Sequence, residues 1–96
     1  MVKVYYRTNE AFERSLFLHL FEEEGVVQLD RPDYREVTEF PGGTTFESVF
    51  RQMNVVNGDE LPVRLKVRSM SAGDAVEDGD ELWLCDMVGW RRATWR

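Results

Sequence analysis

Alternation of apolar and polar positions defines the first element. Val2, Val4 and Tyr6 fall on one side of a period-two pattern running from Val2 to Arg7, and the segment is rich in β-favouring Val and Tyr, so it predicts a strand. The period then changes. From Glu10 to Glu23, Phe12, Leu16 and Leu20 recur at every fourth residue and Phe17 and Phe21 widen the stripe, which predicts an amphipathic helix. Asn9 is its expected N-cap and Gly25 its stop. Val26 to Leu29 predicts a short strand and Arg31-Pro32-Asp33 a turn. Tyr34 to Phe40 predicts a further strand, with Tyr34, Thr38 and Phe40 on one side and Val37 on the other.

The helical period returns after Pro41-Gly42-Gly43. Thr44-Thr45-Phe46-Glu47 fits a capping box, and Phe46, Val49, Phe50 and Met53 follow at i, i+3, i+4 and i+7, so a second helix is expected to end near Asn54. Asn57-Gly58 marks a turn and Pro62 limits the start of the next element. Val63, Leu65 and Val67 then alternate with Arg64, Lys66 and Arg68, predicting a strand with one apolar and one basic face. Asp78-Gly79-Asp80 is a turn into a strand from Leu82 to Cys85, and Trp90 to Trp95 forms the last. The order β-α-β-α-β-β-β predicts an α+β fold, a small, mostly antiparallel sheet with two helices packed on one face. At 96 residues the chain reads as a single domain, 1–96.

Composition narrows the function classes. Lys and Arg number 12 against 18 Asp and Glu, a formal net charge of -6, which weighs against a general nucleic-acid binder because phosphate contacts need surplus base. No apolar run is long enough for a membrane span, and Met1 to Arg7 lacks the apolar core of a secretory signal. Cys85 is the single cysteine, so neither an internal disulfide nor a cysteine zinc site is expected, and a reducing, cytoplasmic compartment fits best.

Candidate chemistry is sparse. His19 is the only histidine, with Ser15 and Glu23 one helical turn either side, and no nucleophile is placed beside it. Cys85 sits among acids, which oppose the thiolate a nucleophile needs. Asp74, Glu77, Asp78, Asp80, Glu81 and Asp86 form an acidic stretch without an intervening base, but their spacing is not that of a calcium loop. Gly42, Gly43, Thr44 and Thr45 lead into a helix N-terminus, an arrangement open to an anion. Trp90-Arg91-Arg92-Ala93-Thr94-Trp95-Arg96 interleaves aromatic and basic side chains, as single-stranded nucleic acid binding requires; the same pattern suits a closing strand whose arginines meet the acidic turn. No catalytic residue, metal or cofactor is expected.

One stretch resembles a known group. Arg68-Ser69-Met70-Ser71-Ala72-Gly73-Asp74-Ala75-Val76, a short acidic turn, a strand ending near Cys85 and then Gly89-Trp90 is similar to a pattern in small proteins of uncharacterised function from actinobacteria, their phages and mobile elements. Those proteins carry Leu where Met70 stands and Val where Ala72 and Ala75 stand, and the resemblance covers only the C-terminal half. It implies a phage or mobile-element setting and carries over no functional residue. The motif also has a structural account: Ser71 and Asp74 bond backbone groups, Gly73 takes a positive φ, and Ala75-Val76 opens a strand.

These features together lead to the expectation of a non-enzymatic phage or mobile-element accessory protein that binds a host protein, with inhibition and simple binding both left open. Asp78, Glu81, Trp90, Arg91, Arg92 and Trp95 are its expected partner surface. Two alternatives stay open: a nucleic-acid module built on the Arg/Trp surface, and a small-ligand or nucleotide binder using Gly42 to Thr45. Monomer and homodimer are both compatible with the sequence.

Overall fold

The computed structural model describes residues 1–14, 25–54, 69–87 and 89–96. Among the described residues six strands, β1 (Val2–Arg7), β2 (Val27–Leu29), β3 (Tyr34–Phe40), β4 (Ala75–Asp78), β5 (Glu81–Cys85) and β6 (Trp90–Trp95), make one sheet in the order β2-β6-β5-β4-β1-β3. Every neighbouring pair is antiparallel except β2 with β6. Two helices, α1 (Asn9–Arg14) and α2 (Phe46–Asn54), complete the described elements. The fold is α+β, as the pattern predicts. The predicted order is corrected to β-α-β-β-α-β-β-β among the described residues. The expected turn is a 3-10 turn over Arg31–Asp33 with Pro32 inside it; it separates β2 from β3, which count as two strands of the order and lie at opposite ends of the sheet formed by the described strands. No helix among the described residues is long and apolar enough to cross a membrane.

Strand alternation sorts the core into two sets. Val2, Val4, Tyr6, Val76 and Cys85 bury one face, and α2 covers it with Val49 and Met53. Tyr5, Ala75, Leu82, Leu84 and Ala93 bury the other, together with Val27, Leu29 and Tyr34. β1 contributes to both because it lies between β4 and β3, paired on each side. The predicted face of Val2, Val4 and Tyr6 is therefore correct. The predicted grouping of Tyr34 with Phe40 is not. Val4 pairs with Thr38 but Tyr5 pairs with Glu36, so Val37 is an extra residue that shifts the parity of β3. Phe40 and Val37 consequently join the α2 side while Tyr34 joins the other.

Both helix starts sit one residue from their predicted caps. The Ala11 N–H donates to Thr8 Oγ1 at 3.1 Å, so Thr8 rather than Asn9 caps α1. The Ser48 N–H donates to Thr45 Oγ1 at 3.1 Å, so the box begins at Thr45 and Glu47 is not its reciprocal partner. The turn between β4 and β5 has two central residues, Gly79 at φ 60° and Asp80, matching the hairpin geometry in which only the first needs a positive φ. Gly25 also has a positive φ, 76°. The predicted helix beyond Arg14 with His19, the Asn57-Gly58 turn, and the strand carrying Arg64, Lys66 and Arg68 lie outside the described residues. Of the predicted two-helix layer, α2 is thus the helix seen packed on a sheet face.

Candidate docking cleft

The motif before β4 is a buried polar clamp. Asp74 is fully buried; its Oδ1 accepts the Arg7 N–H and its Oδ2 accepts the Ser71 N–H, both at 3.0 Å. The Cys85 N–H donates to the Asp74 carbonyl at 2.8 Å, and the Gly73 N–H donates to the Cys85 carbonyl at 2.9 Å. Gly73 reaches this arrangement at φ 99°. The Tyr34 hydroxyl donates to the Gly73 carbonyl at 2.7 Å, and burial is the main cause of its raised pKa. These bonds join the ends of β1, β3, β4 and β5. The predicted turn roles of Gly73 and Asp74 are met, Ser71 takes part through its backbone N–H and carbonyl, and Asp74 leaves the expected acidic surface.

The Arg/Trp tail does not form one surface. Trp90 pairs with Cys85 on the α2 side, its ring 5.1 Å from that of Phe46. Trp95 packs on the opposite face, edge-on to Tyr5 at 5.2 Å and to Tyr34 at 5.6 Å, and its Nε1–H donates to Glu77 at 3.0 Å. Arg31 lies over both the Tyr5 and Trp95 rings. The arginines have partners too. Arg92 meets Glu81 at 3.2 Å and stacks over Trp83; Arg91 reaches Asp86 at 4.0 Å and donates to the Gly25 carbonyl at 3.5 Å. Asp78 is half-buried at the end of β4, paired with Glu81 across the hairpin. Of the six residues expected to form the partner surface, only Trp90 lines a cavity described below.

At Gly42 to Thr45 the hydroxyls are already used. Thr44 Oγ1 donates to the Pro41 carbonyl at 2.6 Å, and Thr45 Oγ1 serves as the α2 cap. Gly43 is at φ 88°, which lets the chain turn into the helix.

A cleft of about 320 Å³ opens between α2 and the β5–β6 hairpin. Glu47, Phe50 and Arg51 come from α2, and Cys85, Asp86, Met87, Gly89 and Trp90 from the hairpin. The apolar stripe of α2 explains it. Val49 and Met53 are buried, Phe46 is half-buried against Trp83 and Trp90, and Phe50, at the outer margin of the stripe, remains 41% exposed. Met87 projects from the hairpin loop at 66% exposure. That loop is held by the Asp86 N–H donating to the Gly89 carbonyl at 3.0 Å and by Asp86 Oδ1 accepting the Met87 N–H at 2.6 Å. Cys85 is buried in the wall. Burial, followed by the charges of Asp74 and Asp86, pushes its thiol up to about 11, so at neutral pH it presents a protonated, apolar surface.

No family model, curated protein or solved structure matches this chain. Among the described residues no group of three or more His, Cys, Asp or Glu is placed to hold a metal ion. Phe50 and Met87, the most exposed apolar members of the lining, escape a sequence reading. Phe50 looks like one more core position of an amphipathic helix, and Met87 like an ordinary loop residue.

Proposed function

We propose that this chain is a protein-binding domain that acts by docking rather than by catalysis, with the α2–hairpin cleft as its contact site. The observation that carries the reading is the pairing of two exposed large apolar side chains, Phe50 and Met87, across a cavity walled by Trp90 and Cys85. Covering an apolar side chain of this size contributes about 1.5–3 kcal/mol, so one inserted anchor residue gives such a contact its core. Methionine adapts its shape to an irregular anchor. The ion pair and ring stacking of Arg92 and the bond from the Trp95 Nε1–H to Glu77 favour protein over nucleic acid as the partner. Under the resemblance of the Arg68–Val76 motif and Gly89-Trp90, that partner is a host protein, and inhibition is one outcome of occupying its surface.

The test is comparative capture from an actinobacterial lysate. Tagged parent, Phe50→Glu and Arg92→Glu proteins are quantified side by side by mass spectrometry. One protein recovered with the parent and with Arg92→Glu, and lost with Phe50→Glu, is the expected result. An identical set of captured proteins on all three baits overturns the cleft as the docking site.

A further inference from the structure

We infer that the occupant of the cleft is a basic peptide segment, with one bulky apolar side chain for the Phe50–Trp90 wall and a flanking lysine or arginine for the carboxylates of Glu47 and Asp86. This rests on the cleft being the docking site and adds the chemistry of what docks. The two carboxylates stand on different elements, Glu47 on α2 and Asp86 in the hairpin loop, so they border the apolar lining from two sides. Glu47 is exposed and takes part in none of the ion pairs among the described residues. Asp86 shares Arg91 only at 4.0 Å and is held in place by the Met87 N–H. Arg51 is the one base of the lining; it is exposed, one helical turn beyond Glu47, on a long side chain that can turn to solvent. The chain as a whole carries a formal charge of -6, which steers basic partners toward it and repels acidic ones.

The experiment titrates the 15N-labelled full chain with three synthetic octapeptides at low salt. The first has Ser-Leu-Phe-Ser between two pairs of lysines. The second has the same centre between two pairs of glutamates. The third keeps the lysines but replaces Leu-Phe with Gly-Gly. The expected result is amide shifts at Glu47, Phe50, Met87 and Gly89 and at the Trp90 indole with the first peptide. Its affinity is expected to be at least about tenfold above that of the others, to fall with added salt, and to drop at least about fivefold in Glu47→Lys. Preference for the glutamate peptide at the same residues overturns the charge assignment and keeps the docking site. Shifts elsewhere, or none with either anchored peptide, overturn the docking site as well. Cleft shifts that grow with protein concentration alone make a second copy of this chain the occupant and overturn the inference.

Discussion

Replacing Asp74 with asparagine isolates the polar clamp that joins four strand ends. The carboxylate is fully buried and accepts two backbone N–H groups, from Arg7 and Ser71, each at 3.0 Å. Asparagine keeps the shape and one acceptor oxygen, but its amide nitrogen then faces an N–H donor. Each hydrogen bond to the charged group contributes about 1.5–3 kcal/mol, and a buried donor left without an acceptor costs about 1–3 kcal/mol. A net loss of about 3 kcal/mol follows, a large part of the ~5–15 kcal/mol available to a domain. At this chain length it lowers Tm by about 12–24 °C. The assay is thermal unfolding followed by circular dichroism, with Asp80→Asn on the exposed hairpin turn as control, expected to stay within about 0.5 kcal/mol of the parent. If Asp74→Asn melts within about 3 °C of the parent, the clamp contributes little and the reasoning is refuted.

Further outcomes follow from neighbouring residues. Val49→Ala, in the fully buried centre of α2, is expected to cost about 1–3 kcal/mol in urea unfolding, and a loss below about 0.5 kcal/mol contradicts its place in the core. Thr45→Ala removes the α2 cap and is expected to cost about 1 kcal/mol, against a smaller loss for Thr44→Ala, whose hydroxyl bonds only the exposed Pro41 carbonyl. The folded chain holds the Cys85 proton up to about pH 11 whereas the unfolded chain releases it near 9, so stability is intact below that window and falls as pH rises through it. The same difference makes thiol modification of the native protein at mildly alkaline pH about a hundredfold slower than in denaturant, and equal rates contradict the burial of this group.

Elements governed by local rules are legible in the sequence. β1, β3 and β6 begin and end where alternation and turn residues place them, and Ser71-Ala72-Gly73-Asp74 forms the turn its chemistry suggests. Features set by the partner strand are not. The extra residue at Val37 leaves the local β character of Tyr34–Phe40 unchanged, yet it reverses which side chains face α2. The parallel pairing of β2 with β6 joins residues far apart in the chain, and no local pattern announces it. The cleft is hidden for a related reason. A helical stripe tells which face of α2 is apolar, but only the position of the β5–β6 loop decides that the sheet covers Val49 and leaves Phe50 uncovered.

The most direct measurement is site-specific photo-crosslinking inside the cell, with a photoreactive amino acid placed at Met87 or at Thr94, which is exposed but does not line the cleft. A single crosslinked protein from position 87, weak or absent from position 94 and abolished by Phe50→Glu, is the expected result. Crosslinking from position 94 alone, or from position 87 irrespective of Phe50→Glu, contradicts docking through the cleft.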